Sequence, residues 1–179
     1  MIASDGTDQL YLYHPSTLVL TSKINVWYTN QAQGASGDRT PLTMMNELEY
    51  VGGNVVLANL FYPQYFLIWG ISLLTGYAAP VANLTLAAID NGCPAADYDH
   101  VMNGIAVESI SAVNGGDNGG GGRSRRSGNI SSAASSLFSA PPASLTQKLY
   151  VTGKYWGKVL VVSIDHNRLQ ELLHHGGGR

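Results

Sequence analysis

Pairs of short apolar segments joined by tight turns recur along this chain, and long helical segments do not separate them. Such segments are typical of antiparallel strands joined in hairpins. Parallel α/β folds are disfavoured, because they need a helix between successive strands. The sequence therefore predicts an all-β protein. The predicted strand pairs are Leu10–Tyr13 with Leu18–Val26, Glu47–Val51 with Asn54–Leu60, and Leu149–Thr152 with Lys158–Ile164, while Phe66–Ser72 leads into a turn at Leu74–Gly76.

The composition agrees with this fold class and narrows the range of functions. Only 12% of the residues are charged, 45% are hydrophobic and 21 are Gly, as in a β-rich protein with many turns. The net charge of −2 gives no electrostatic case for nucleic acid or an acidic membrane as partner. Cys93 is the single cysteine, which rules out an intrachain disulfide and a Cys-cluster metal site. Polar residues interrupt the longest apolar stretch, Val55–Leu74, so no membrane span is predicted.

One segment departs from this composition. Asn114–Ser144 contains 7 Gly and 8 Ser, together with half of the Arg residues of the chain. Such a segment buries too little apolar surface to offset the entropy lost on ordering. We therefore expect a disordered Gly/Ser/Arg insertion over residues 114–144. A basic docking or phosphorylation site at Arg123–Ser127 is the functional alternative.

The remaining residues suggest a repeated β-structure. Without the insertion, the chain has room for about three units of the roughly 40–50 residues that one propeller blade takes. Closed propellers have about four or more blades. The sequence therefore predicts partial propeller blades in residues 1–113, a final blade hairpin in 145–166, and a short helix and tail in 167–179, with the helix over Arg168–His175. We expect three blades to leave the ring incomplete.

Four short motifs follow one another along the chain. They are Ser4–Tyr11, Met45–Tyr50, Val101–Ala106 and Val151–Trp156. Together they resemble the glutamine cyclotransferases of plant and bacterial type, which are five-bladed β-propellers. The resemblance covers the C-terminal three-fifths of a family member. It implies a reaction in which the α-amine of an N-terminal glutamine attacks its own side-chain carboxamide, expels ammonia and leaves pyroglutamate.

The resemblance also implies a set of site residues. Asn46 matches the family's site asparagine, whose amide can donate to the substrate carboxamide oxygen or accept from the substrate amine. Lys154 matches the site lysine, which stabilises the oxyanion, so Asn46 and Lys154 are the implied catalytic residues. Phe61 stands where relatives have a site tryptophan, and Asn103 lies in a motif that faces the channel; both are implied substrate-binding residues. No cofactor is expected, because nucleophile and electrophile belong to one molecule, and no metal-binding residues are assigned.

Structural roles remain open for several of these positions. Asn46 is compatible with a turn at the start of a blade, Lys154 with an exposed charge, and Asn103 with a tight turn. Trp156 is expected to pack rather than to contact substrate. Glu47 and Glu49 alternate with Asn46 along a predicted strand, so they would not both face the channel, and we expect neither to be the proton shuttle.

The resemblance has one important gap. The catalytic glutamate of the family lies in a Phe-Gly-Glu-Gly-Leu-type string, which does not occur in this sequence. We therefore expect this chain to be a C-terminal portion of a cyclotransferase that is inactive as it stands. Peptides or proteins with an N-terminal glutamine are the expected partners. The resemblance implies a secretory or extracytoplasmic compartment.

Two alternatives belong to other functional classes. The chain is also compatible with a short, non-catalytic β-repeat module that binds peptides or other partners. Its contact surface would then consist of Tyr11, Tyr13, Tyr50, Tyr62 and Tyr65. A second alternative is an oligomer in which two chains complete one ring, since unpaired sheet edges favour further pairing.

Overall fold

The structure is a computed structural model that describes residues 1–29, 38–61, 66–92, 101–108 and 146–176. Within these ranges the chain forms twelve strands in four sheets and two helices. The strands are β1 Ile2–Ser4, β2 Gln9–Tyr13, β3 Leu20–Asn25, β4 Trp27–Thr29, β5 Arg39–Pro41, β6 Met45–Gly52, β7 Val55–Leu60, β8 Leu67–Ser72, β9 Ala78–Asn83, β10 Met102–Val107, β11 Thr146–Gly153 and β12 Leu160–Asp165, and the helices are α1 Thr85–Asp90 and α2 His166–Gly176.

Every sheet is antiparallel, and strands that follow one another along the chain are neighbours in the sheet. The strand orders are β1-β2-β3, β4-β5, β6-β7-β8-β9 and β10-β11-β12. This topology confirms the predicted all-β class and the predicted hairpins at β2-β3, β6-β7 and β11-β12. Short turns can close such pairs without a crossover connection.

The four-stranded sheet contains the most deeply buried strand. Val55, Val56, Leu57, Ala58 and Asn59 of β7 are all buried, since β7 is paired on both sides and covered on both faces. The turn before β7 needs left-handed backbone, with φ of 90° at Gly52 and 58° at Gly53. Glycine adopts such angles without steric cost, which explains how the Gly-Gly pair reverses the chain between β6 and β7.

An aspartate organises the turn between β1 and β2. The Asp5 carboxylate accepts hydrogen bonds from the Thr7 hydroxyl and, at 3.0 Å, from the Thr7 main-chain N–H. Its second oxygen accepts from the Tyr11 hydroxyl at 2.7 Å. The bonds from Thr7 and Tyr11 lower the pKa of Asp5 to about 2. The first motif of the chain therefore has a structural role here, as an aspartate-centred turn.

The first strands of three sheets lie next to one another. β6 contacts both β1 and β10, although the three strands belong to separate sheets. The Ser4 hydroxyl donates to the Met45 carbonyl at 2.8 Å, which joins β1 to β6. Strands at one edge of each sheet thus approach a common region. Ring closure and the number of blades stay predictions.

Helix α2 covers the junction between the last two sheets. Asp165 begins it by accepting from the main-chain N–H groups of Asn167 at 2.9 Å and Arg168 at 3.2 Å. Leu169 and Leu173 are buried, and Gly70 on β8 leaves room for both, since a Cβ at Gly70 would lie 2.9 Å from Leu169 Cδ1. The predicted helix is confirmed, two residues longer at its start.

Other predictions differ from the structure or lie outside it. Helix α1 was not expected, because its six residues lack a side-chain cap and show too little periodicity to predict a helix. The proposed insertion at 114–144 lies outside the described residues. The domain boundaries stay predictions. No helix in the described part of the chain is long and apolar enough to cross a membrane.

A buried histidine makes the stability of this region depend on pH. His166 is 2% exposed, and its Nε2 contacts Gln147 Oε1 on β11. Burial lowers its pKa below the ordinary 6.5, although the neighbouring Asp165 carboxylate opposes part of this effect. The unfolded chain therefore binds a proton more readily than the folded chain as the pH falls below about 6.5.

We expect the contribution of His166 to the free energy of unfolding to be fully present above pH 6.5 and to decrease as the pH falls through the window below it. One proton limits the slope to about 1.4 kcal/mol per pH unit. Urea unfolding of the wild type and of His166→Gln between about pH 5 and pH 8 measures this, since the variant keeps a neutral donor. Equal slopes for both proteins would contradict the role assigned to His166.

Candidate functional site

Two β-bulges occupy matching positions in neighbouring sheets. In β6, Met45 pairs with Leu60 and Leu48 with Ala58, so one extra residue lies between the paired positions. The same irregularity occurs in β10, where Met102 pairs with Gly153 and Ile105 with Val151. Each bulge follows a methionine and begins with an asparagine. Bulges of this kind redirect side chains and are frequent beside functional sites.

The two bulge asparagines are hydrogen-bonded to each other. Asn46 Nδ2 donates to Asn103 Oδ1 at 2.9 Å, which brings together residues 57 positions apart in the sequence. Asn46 is half-buried and Asn103 is exposed, so the pair faces the surface. A side-chain amide has two donor hydrogens and two acceptor lone pairs, so this bond leaves each residue able to bind a further group.

Phe61 and Lys154 also occupy matching positions. Phe61 follows β7, and its N–H donates to the Met44 carbonyl at 2.8 Å, just before the first bulge. Lys154 follows β11, and its N–H donates to the Val101 carbonyl at 2.9 Å, just before the second bulge. The register therefore places all four predicted residues at the same end of two adjacent sheets. The side chains of the two asparagines are in direct contact through their hydrogen bond.

The side chains of Phe61 and Lys154 are accessible. Phe61 is 44% exposed, although it is a large apolar residue. Lys154 is exposed, and its Nζ lies 5.2 Å from the ring centroid of Tyr155, a cation–π contact. This end of the two sheets therefore presents two amides, an aromatic ring and an ammonium group.

Sequence reasoning missed one residue of this region. Asn59 is fully buried on β7, and its Oδ1 accepts from the Glu47 N–H at 2.8 Å. Its Nδ2 donates to the Met102 carbonyl at 2.5 Å. A single amide thus joins the main chain of both bulges. The available signal was one polar residue in the otherwise apolar strand Val55–Leu60.

The two glutamates of the second motif differ in their relation to the bulge. Glu47 lies within it, so strict alternation does not hold through this part of β6. Glu49 Oε1 accepts from the Val107 N–H at 3.1 Å, which links β6 to β10. Glu49 therefore has a structural bond away from the asparagine pair. That neither glutamate is the proton shuttle stays a prediction.

Trp156 packs in the core, as the sequence predicted. It is 9% exposed, and its ring meets that of Phe66 edge-on at 5.3 Å between centroids. The ring also covers Gly153, where a Cβ would lie 2.3 Å from Trp156 Cε2. The contact between Gly153 and the Trp156 ring thus fixes the backbone on either side of Lys154.

The tyrosines of the alternative binding module do not share one sheet. Tyr11 and Tyr13 lie on β2, whereas Tyr50 lies on β6 of another sheet. Tyr62 and Tyr65 lie outside the described residues. The Tyr11 hydroxyl is already bonded to Asp5, which raises the pKa of Tyr11.

Comparisons with known proteins find one sequence family and one similar solved structure. The sequence model of a family described as glutamine cyclotransferase matches residues 1–112. The crystal structure of Myxococcus xanthus glutaminyl cyclase superposes on this chain with a TM-score of 0.53 and 21% sequence identity. The match covers 92% of this chain and 52% of that one, so the chain spans about half the length of that protein. At this identity the likeness shows the fold alone. No curated protein matches the chain significantly.

The bulge in β10 depends on a glycine. A Cβ at Gly104 would lie 2.5 Å from Thr152 Cγ2, which is too close for two carbon atoms. We expect Gly104→Ala to lower the free energy of unfolding by about 1–3 kcal/mol, as overpacking does. Adding Thr152→Ser removes the opposing methyl group, so most of the stability should return. Denaturant unfolding of the single and double variants measures this.

Gly157→Ala is the matched control, since no described atom lies within 4 Å of a Cβ there. It should leave stability nearly unchanged. A Gly104→Ala variant as stable as Gly157→Ala would show that the bulge tolerates a side chain, contrary to the packing described.

Proposed function

The chain belongs to the glutamine cyclotransferase family, and on that premise we propose that it acts in the conversion of N-terminal glutamine to pyroglutamate. The observation that supports this most is the hydrogen-bonded pair of Asn46 and Asn103. Two amides at the surface match a substrate that presents an amide and an amine, because amides bind both donors and acceptors.

The reaction needs three kinds of assistance. The α-nitrogen forms a bond to the side-chain carboxamide carbon, and negative charge develops on the carboxamide oxygen. The original carbon–nitrogen bond of the carboxamide then breaks, and ammonia leaves with one proton that the α-amine has lost. The site must therefore hold the chain in a bent conformation, move a proton and stabilise the oxyanion.

Each residue of the site has a proposed role in this scheme. Asn46 donates to the carboxamide oxygen as it gains charge, and Lys154 adds an electrostatic contribution from its ammonium group. Asn103 holds the substrate through its own side-chain amide, which accepts a hydrogen bond from Asn46. Phe61 offers an apolar face to the methylene groups of the glutaminyl side chain, as an exposed aromatic ring can. Peptides or proteins with an N-terminal glutamine are the proposed substrates.

We also propose that the sheets are blades of a β-propeller. The adjacency of β1, β6 and β10 supports this, since first strands surround the axis of such a fold. The superposition on the glutaminyl cyclase fold supports it as well. The asparagine pair would then lie at one end of the central channel, between two neighbouring blades.

The proposed roles concern recognition more than proton transfer. The glutamate string expected of the family does not occur in the printed sequence. We propose that these residues bind a glutaminyl peptide and stabilise the oxyanion, and we assign none of them to proton transfer. The alternative of a non-catalytic binding module gains no specific support, because its described tyrosines lie on different sheets.

Calorimetry with a short peptide that begins with Gln tests the recognition. We expect measurable affinity, a loss of a few-fold to about tenfold in Asn46→Ala, and a similar loss in Lys154→Met, since each removes about one hydrogen bond or charge contact. A coupled assay for ammonia follows turnover in the same samples.

Two controls accompany this measurement. The same peptide with Ala as its first residue should bind much more weakly. Lys158→Met removes another exposed lysine in the loop after β11 and should bind as the wild type does. Equal affinity for the Gln and Ala peptides would disprove recognition of N-terminal glutamine.

A further inference from the structure

We propose that Asn59 is a positioning residue, which sets the geometry of the Asn46–Asn103 pair without touching substrate. The inference rests on the proposed function of that pair. Asn59 is 0% exposed and bonds to the main chain next to each of the two asparagines. Its acceptor binds the N–H that follows Asn46, and its donor binds the carbonyl that precedes Asn103.

The position requires an amide. Both ends of the side chain are used at once, with 2.8 Å from Glu47 N to Oδ1 and 2.5 Å from Nδ2 to the Met102 carbonyl oxygen. A carboxylate lacks the donor, and an apolar side chain lacks both groups. Either change would leave buried main-chain groups without a partner, which is unfavourable.

The connection to the site follows from the register. The bulge of β6 lies opposite Asn59, because Met45 pairs with Leu60 and Leu48 with Ala58. Within a bulge the regular ladder is interrupted, and a side chain can then hold the extra residue in place. Asn59 does this for β6 and at the same time fixes the neighbouring strand β10. The separation of the two bulges therefore depends on one side chain of fixed length.

The matching position of the last sheet lacks this device. Thr152 lies opposite the bulge of β10, as Asn59 lies opposite the bulge of β6. Thr152 packs its methyl group towards Gly104. The repeated architecture alone therefore does not require an asparagine. The amide is needed at the one place where two bulges meet.

A double-mutant comparison separates positioning from general stability. Asn59→Leu should weaken binding of the Gln peptide a few-fold to about tenfold, as Asn46→Ala does, because a small displacement of binding groups is costly. If Asn59 acts through the pair, Asn59→Leu should cause no further loss in an Asn46→Ala background. Gln147→Leu, a change at another buried amide that bonds to His166, should lower stability and leave affinity per folded protein unchanged.

Asn59→Asp adds a test that Asn59→Leu cannot give, because the aspartate variant can gain or lose a proton at this position. The protonated acid offers an acceptor and a donor, as the amide does, whereas the carboxylate offers acceptors only. Affinity of the aspartate variant should rise towards that of the wild type as the pH falls from about 8 to about 5. Glu47 and Glu49 on β6 are further carboxyl groups near Asn59, so Asn59→Leu is measured at each pH as the reference.

NMR tests the inference without any ligand. In the wild type, side-chain amide signals of Asn46 and Asn103 should show a mutual nuclear Overhauser effect, and Asn59→Leu should abolish it. If the wild type binds no Gln peptide, the proposed function fails, and this signal alone decides the role of Asn59. An unchanged signal in Asn59→Leu, or additive losses of affinity in the double variant, would overturn the inference.

Discussion

Side-chain bonds to main-chain atoms join adjacent sheets beside their first strands. β6 contacts β1 and β10, yet the three strands share no ladder of backbone hydrogen bonds. Ser4 binds the carbonyl of Met45, Asn59 binds the carbonyl of Met102, and Glu49 binds the N–H of Val107. Polar main-chain groups at a buried edge need partners, and here three polar side chains supply them. These bonds, together with the apolar core that the sheets share, fix the relative placement of the sheets.

The site uses a repeated framework with different side chains. The two bulges share the Met-Asn pair, and the residues opposite and beyond them differ. Phe61 in one sheet corresponds to Lys154 in the next, so an apolar group and a cation stand at equivalent positions. In the proposed function, this repeated backbone with non-equivalent residues would form one asymmetric site, suited to a substrate with an apolar stem and a polar end.

Local signals predicted much of the fold, and contacts between distant segments were harder to foresee. The Gly-Gly turn before Val55 and the helix after Asp165 depend on neighbouring residues, so the sequence indicated both. Strands β4 and β5 contain three residues each, too few for a pattern. The motifs indicated Asn46 and Asn103 separately. The bond between them depends on how two sheets pack, and the partners of Asn59 lie 12 and 43 residues away from it.

The long connection between β10 and β11 begins and ends far from the asparagine pair. Glu108 and Thr146 lie at the end of the hairpin where the Glu108 N–H donates to the Lys148 carbonyl at 2.9 Å. Asn103 lies at the opposite end, near the pairing of Met102 with Gly153. Four ladder positions separate the two ends. Evolution can therefore lengthen or shorten this connection, and an engineer can insert a foreign domain there, while the register that places Asn103 is maintained.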